Sequence, residues 1–564
     1  MSLTRIIPRR GGGIDLLVFG LLAVLLYGLY TVGLEWRAPV RAAVDIDLGL
    51  AALPRYTFFS LCRGLVAFAL SFGFTLVYGY VAARVRGADR VMLPVLDVLQ
   101  SIPVLGFMPG VVLALAALFP RTNVGLELAA VVMIFTGQVW NMTFSFYHSL
   151  RAIPDDLREA AQIYRFGWWR RFTRVELPYS TVGLVWNGMM SMAGGWFFLT
   201  VNEAFRLGDR DFRLPGVGAY MSVAIDRGDR GAMVAAVVAM VVMIVVVDQL
   251  FWRPLVAWSN KFKLEDVGAA TVNQSWVLEL LRRTRFYAWL HGRGERRARR
   301  PSRPRAAPRA PRAAGTGRAV AIAALVGFAA LCVWGGLALV HLLAQLDAGA
   351  WWKIGRASGY TLVRTTVAVA LGSLWAVPAG VYIGTHPRAS RVLQPVVQIA
   401  ASFPAPMLFP LVLAVLAWLD VSLSIGSVVL MMLGTQWYVL FNVIAGAMSI
   451  PNELHEAATV YRFTRVQRWK LVLLPGVFPN LVTGWVTAAG GAWNASIVSE
   501  YVHAQGRVQT TDGLGALISG AAQDERFALL AAGVLAMAAL VVLINRTFWK
   551  RLYDLAERRY ALGR

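Results

Sequence analysis

The sequence predicts an all-α polytopic membrane protein with twelve transmembrane helices, arranged as two parallel six-helix repeats. Three observations carry this. Of 564 residues, 57% are hydrophobic and only 15% charged, whereas a soluble domain runs nearer ~25% charged. Mean hydropathy is +0.57, and apolar stretches of about twenty residues, each long enough for a ~30 Å hydrocarbon layer, recur from end to end. Finally, the second half repeats the first.

The spans are placed at 14–34, 56–83, 91–118, 124–148, 178–202 and 232–252, then at 318–342, 360–384, 392–418, 422–448, 475–499 and 527–547. Arg5, Arg9 and Arg10 ahead of the first run mimic a signal peptide. That run is too long for a ~7–15-residue signal core and no small-x-small site follows, so it is read as a retained first helix. Ser101-Ile102-Pro103 and Ser402-Phe403-Pro404 are expected to kink the third spans. The chain divides into a first repeat at 1–260, a linker at 261–317 and a second repeat at 318–564. About thirteen Arg lie among Pro and Ala at 282–318, a composition that buries no core. It is read as a solvated tether, with anionic lipid headgroups as the alternative partner.

The net charge of +24 follows from topology rather than nucleic-acid binding. With both termini inside, about 40 Lys and Arg fall in cytoplasmic segments and about 13 outside, as the positive-inside rule requires. The basic loops lack the aromatic interleaving that single-stranded nucleic acid needs. Cys62 and Cys332 both lie in apolar spans, with no disulfide or metal spacing.

The repeat is closest in the loop after the fourth span, where 151–178 aligns with 448–475 without a gap, about 13 of 28 positions identical. Arg63 overlies Arg364, Pro109 overlies Pro410, Glu203 overlies Glu500, and Gly216-Val217-Gly218 overlies Gly513-Leu514-Gly515. Parallel repeats put a pseudo-two-fold axis along the membrane normal, with a central path at their interface.

Each of these loops predicts a short amphipathic helix outside the bilayer. Pro154 followed by Asp155 and Asp156, and Pro451 followed by Asn452 and Glu453, are helix-start signals. Leu157, Ala161 and Tyr164, like Leu454, Ala458 and Tyr461, fall on one face. The paired alanines Ala160-Ala161 and Ala457-Ala458 leave room for a partner's backbone.

Glu159-Ala160-Ala161, Gly167 and the closing Leu177-Pro178, with Glu456-Ala457-Ala458 and Leu474-Pro475, resemble the EAA loop of ABC importer permeases of the type I fold. The resemblance covers essentially the whole chain, twice. Trp140 and Trp437, the stretches from Trp196 to Glu203 and from Trp493 to Glu500, and the Gly-x-Gly turns are similar to the nitrate/sulfonate/taurine branch.

The resemblance implies coupling helices at Glu159, Ala160, Ala161, Tyr164 and Gly167, and at Glu456, Ala457, Ala458 and Tyr461. Two separate ATP-binding cassette ATPase subunits holding ATP and Mg would dock there, in a bacterial inner membrane, and an external binding protein would deliver a small solute, an anion such as a sulfonate or nitrate. Thr464 departs from the pattern at the place of Gly167, which predicts a stiffer exit from the second loop and unequal ATPase contacts. No Gly-x-x-x-x-Gly-Lys-Ser/Thr loop occurs and no catalytic constellation is present, so the chain is expected to be a non-catalytic subunit without a cofactor or metal of its own.

Seven residues are candidates for the path. Arg63 and Arg364 sit about two turns into the second spans, where a charge is a functional candidate by default, although such a side chain can also snorkel to the interface. Asn202, Glu203, Asn494, Ser499 and Glu500 close the fifth spans, behind Gly194-Gly195 and Gly490-Gly491; capping and gate structure is the other role open to them. The competing function is a twelve-helix secondary transporter of the major facilitator type, needing no ATPase. It leaves the duplicated Glu-Ala-Ala loops unexplained.

Overall fold

The computed structural model describes residues 12–39, 45–207, 210–262, 326–327, 330, 333–504 and 507–560. From 263 on the linker lies outside them, as do Cys332 and about half of the span expected at 318–342.

Helices follow the apolar runs closely. In the first half they are α1 (Gly12–Arg37), α2 (Leu53–Arg84), α3 (Asp89–Ser101), α4 (Val104–Leu118), α5 (Val124–Arg151), α6 (Asp155–Ile163), α7 (Trp168–Arg171), α8 (Leu177–Asn202), α9 (Val217–Arg227), α10 (Arg230–Val247) and α11 (Arg253–Ser259). The second half gives α12 (Val333–Leu343), α13 (Ala348–Thr385), α14 (Pro387–Ser402), α15 (Phe409–Trp418), α16 (Leu423–Met448), α17 (Asn452–Val460), α18 (Arg465–Arg468), α19 (Leu474–Ser499), α20 (Leu514–Gln523), α21 (Phe527–Ile544) and α22 (Lys550–Tyr560). In each half the second span packs on the fourth and the fourth on the fifth: α2 on α5 and α5 on α8, then α13 on α16 and α16 on α19.

The expected count of twelve spans is not reached among the described residues. Seven helices are long and apolar enough to cross a membrane, or up to nine when each bent pair counts as one span. The bent pairs are the third spans, which break rather than kink. α14 and the helix following it meet at 82°, and α3 meets α4 at Ile102-Pro103, both extended in ψ. A proline disfavours the helical region for the residue before it, so Ile102 and Phe403 each leave the helix. α8 is a helix where the fifth span was expected but is not among the seven. Buried Ser180, Thr181, Ser191, Thr200 and Asn202 dilute its apolarity, because it faces the protein interior.

Two further features recur in both halves. A π-helical turn at Phe172–Glu176, and again at Trp469–Leu473, precedes each Leu-Pro. Pro178 and Pro475 lack an N–H and crowd the carbonyl one turn back, and widening the turn relieves that contact. Beyond each fifth span lies an antiparallel hairpin, β1 (Ala204–Leu207) with β2 (Arg210–Arg213), and β3 (Tyr501–Ala504) with β4 (Arg507–Thr510). The short apolar stretches of the sequence did not announce these strands. Each 26-residue fifth helix is ~39 Å long at 1.5 Å per residue. The hairpins and the Glu-Ala-Ala loops therefore sit at opposite ends of the protein.

Candidate functional site

At the hairpin end each half builds the same polar node. Arg63 of α2 is 2% exposed. It forks onto Glu127 of α5 at 2.5 and 2.7 Å, donates to Glu203 at 2.6 Å and reaches the carbonyl of Pro215 at 2.8 Å. Glu203 also accepts from the Ser60 hydroxyl at 2.6 Å and from the Gly218 N–H at 2.7 Å. In the second half Arg364 donates to Glu500 at 3.0 Å and to the Asp512 carbonyl at 2.5 Å, and Glu500 accepts from Thr361 at 2.9 Å and the Gly515 N–H at 2.8 Å.

The Gly-x-Gly turns exist for this node. A Cβ on Gly216 would stand 2.3 Å from the Glu203 carboxylate, and one on Gly513 2.3 Å from that of Glu500. One on Gly218 or Gly515 would meet the backbone of α8 or α19 at 2.5 and 2.4 Å. The turn can then deliver the open N–H groups of α9 and α20 to a carboxylate, as a helix N-terminus favours. Arg63, Glu203, Arg364 and Glu500 are thus engaged with each other and with the backbone.

The large cavity lies elsewhere, between the halves, with a volume of about 210 Å³. Repeat-related residues line it from both sides: Pro103 and Pro404 at the breaks of the third spans, Gly137 and Gly434, Trp140 and Trp437, Gly194 and Gly491. At other paired positions the halves differ, with Asn141 facing Tyr438's place, Phe197 that of Asn494 and Met190 that of Thr487. Of the seven candidates for the path, the cavity takes only Asn494. The side-chain amide oxygen of Asn494 accepts the Val104 N–H at 2.7 Å, so the second half caps the broken third span of the first. Asn202 lines a small pocket beside Phe205 and Leu214, and Ser499 is fully buried. The electrostatic node was not legible as such, because Glu127 lies 64 residues from Arg63 and outside the repeat's obvious identities.

At the opposite end α6 and α17 are the two helices expected in the Glu-Ala-Ala loops. Glu159 and Glu456 are exposed, as are Tyr164 and Tyr461 at about three quarters of their surface. Ala161 and Ala458, by contrast, are 4% exposed and pack inward. The second alanine therefore seats the helix on its own bundle, and leaves the first, half-buried alanine beside the outer edge. Tyr164 and Tyr461 leave the inner face because both helices end one residue earlier.

The exits correct the expected asymmetry. Gly167 has φ −65°, ψ 161° and Thr464 has φ −62°, ψ 162°, extended backbone open to any residue. The left-handed residues are Arg165 and Arg462, at φ 48° and 52°. Thr464 closes a capping box with Gln467, so it starts the next helix rather than stiffening a hinge.

The loops do differ in their charges. Arg158 of α6 bonds Asp155 at 3.1 Å and the Arg151 carbonyl at 2.9 Å; its counterpart is His455, whose pKa is lowered by burial and by the nearby Arg468. Buried Glu176 ties Arg84 of α2 to Arg171, both at 2.9 Å, where the second half has Leu473. Among the described residues no cluster of His, Cys, Asp and Glu could hold a metal ion.

Comparison with known proteins matches residues 71–251 and 368–561, one segment in each half, to the family described as binding-protein-dependent transport system inner membrane component. A nitrate import permease protein of Leptolyngbya laminosa is 25% identical over 27% of this chain and 52% of its own length, so the chain spans about half of that relative. A taurine transport system permease protein of Escherichia coli K12 is 25% identical over 36% of this chain and 68% of its own. A bicarbonate transport system permease protein of Synechocystis is 25% identical over 36% and 67%. Among solved structures, an inward-facing MetNI methionine ABC transporter covers 37% of this chain at 20% identity and a TM-score of 0.32.

Proposed function

This chain belongs to the family of binding-protein-dependent transport system inner membrane components, and from that premise we propose that it is the complete transmembrane path of an ATP-driven importer. Both permease repeats lie in one polypeptide, so one copy serves each transporter. Two ATP-binding cassette subunits, holding ATP and Mg, seat on α6 and α17. Their closure rocks the halves about the cavity, giving alternating access. An external binding protein delivers the solute at the hairpin end, and both termini face the cytoplasm. Similarity to nitrate, taurine and bicarbonate permeases favours a small anion such as a sulfonate or nitrate.

The observation that supports this best is the pairing of one shared cavity with two equivalently built outward edges, Glu159 to Tyr164 and Glu456 to Tyr461. A secondary transporter of the major facilitator type has no use for the second feature. The test is purification of the chain from its native membrane in mild detergent, with the mass of the intact complex measured. One copy of this chain with two ATP-binding subunits is expected. Two copies of the chain, or no ATPase, would overturn the proposal.

A further inference from the structure

The cavity between the halves has a lining that an inorganic anion does not need. Among the described residues, none that lines it is Lys, Arg, His, Asp or Glu, and the buried Arg63 and Arg364 are both held by carboxylates. Moving a bare ion into such surroundings carries a large desolvation cost with no opposite charge to offset it. Aromatic faces are abundant instead, led by Trp140, Trp437 and Phe197, and flat rings pack on these by stacking or edge-to-face contact. The space is sufficient. An apolar cavity of about 150 Å³ takes a benzene ring, and this one is about 210 Å³.

Polar side chains line the cavity from both halves, among them Thr136 and Asn141 in the first and Tyr438 and Asn494 in the second. The oxygen of Asn494 is committed to the Val104 N–H and one amide hydrogen to the Gly490 carbonyl at 3.2 Å, which leaves the other hydrogen as a donor. Tyr438 packs on Gly491, one helical turn before Asn494, and its hydroxyl lies 3.4 Å from where a Cβ on Gly194 of the other half would stand. Both donors thus come from the second half, whereas the place of Asn494 in the first half is taken by Phe197. At these paired positions the lining differs between the halves, with Asn141 and Phe197 in the first for Tyr438 and Asn494 in the second, an asymmetry that two fused, diverged repeats permit and two identical subunits would not.

We infer that the cavity takes an organic solute with a flat apolar body and a hydrogen-bond-accepting head, the body against Trp140, Trp437 and Phe197 and the head on Asn494 and Tyr438. This rests on the reading of the cavity as part of the translocation path, and narrows its solute from inorganic oxyanions to ring-bearing molecules. A neutral amide and a sulfonate both offer such acceptors, the sulfonate adding a charge that the lining does not offset.

The test uses the full chain in lipid nanodiscs without ATPase, so that its failure is separate from failure of the complex to assemble. Thermal unfolding is followed with benzenesulfonate, benzamide, methanesulfonate and nitrate. At least one ring compound should raise the midpoint at a tenfold lower concentration than methanesulfonate or nitrate, and the stronger of the two tells whether the head is anionic or neutral. Trp437→Ala and Asn494→Asp, which keeps an acceptor for Val104, should each weaken that response at least tenfold. Trp437→Phe should retain most of it, which guards against a folding defect in the alanine variant. The inference is overturned if methanesulfonate or nitrate matches the ring compounds, if no compound shifts the midpoint, or if the ring response survives unchanged in both Trp437→Ala and Asn494→Asp.

Discussion

Glu127 and Ser424 occupy the same place in the two halves, and each meets the arginine of its second span: Glu127 through a fork of two bonds to Arg63, Ser424 through one hydroxyl at 3.0 Å from Arg364. The first node therefore sets two carboxylates against one guanidinium, while the second sets one carboxylate and neutral oxygens against the other. Lysine lacks the planar fork and cannot serve both Glu127 and Glu203. Arg63→Lys should then destabilise the protein more than Arg364→Lys, and Arg63→Ala most of all, by about 3–5 kcal/mol, the cost of stranding a buried partner. Unfolding midpoints in detergent check the order.

The Gly-x-Gly turns give a second prediction. Gly216→Ala and Gly513→Ala push a methyl into the carboxylates of Glu203 and Glu500, and each should cost about 1–3 kcal/mol by overpacking. Backbone strain plays no part, since both glycines are extended, near ±180° in φ. Gly167→Ala, with nothing within 4 Å of the new methyl, should be neutral. Recovery of monodisperse protein after mild heating separates the two outcomes.

Charge reversal tests the proposed docking edges. Glu159→Lys and Glu456→Lys leave the fold intact because both side chains are exposed, and each should weaken ATPase binding, by as much as several kcal/mol if the glutamate meets a cation there. Because the two exits share one backbone conformation, exchanging Gly167→Thr and Thr464→Gly should change coupling little, beyond the lost cap of Thr464, worth a few tenths of a kcal/mol when glycine replaces it. Solute-stimulated ATP hydrolysis in reconstituted complexes, with subunit retention by pull-down, is the measurement. Full stimulation in both lysine variants would remove the docking assignment.

The histidine of the second loop predicts a pH response confined to one side. Burial, with a lesser push from Arg468, lowers the pKa of His455, so the folded loop favours the neutral ring. The unfolded segment takes up a proton first as pH falls past about 6.5, and the stabilisation present above that pH is lost below it. The protection factor for hydrogen exchange across 452–463, each rate taken relative to its intrinsic rate at that pH, should fall between about pH 7.5 and 5.5, while that of 155–166, carrying Arg158, should hold. His455→Arg should abolish the change.

What the sequence by itself determined is everything carried by local pattern. Apolar length placed most helices within a few residues of where they lie, for instance 124–148 against Val124–Arg151, since a helix satisfies its own backbone and needs no partner to exist in lipid. The repeat was equally legible, and with it both Glu-Ala-Ala helices, because Pro-Asp and Pro-Asn starts are written within one turn. The same local logic foresaw a bend at Ile102-Pro103.

Only the tertiary structure decided what those helices do with their polar side chains. Arg63 in a span is compatible with a path or with a node. The choice was made by Glu127 and Glu203, 64 and 140 residues away, because a buried charge settles wherever opposite charge and free hydrogen bonds converge. Ala161 had a helical face but no stated neighbour, and packing turned it inward. The cavity belongs to neither half, since its walls meet only when two diverged repeats close on each other. Arg63 and Arg364 do not reach its lining, because they are held by partners that spacing along the chain does not reveal.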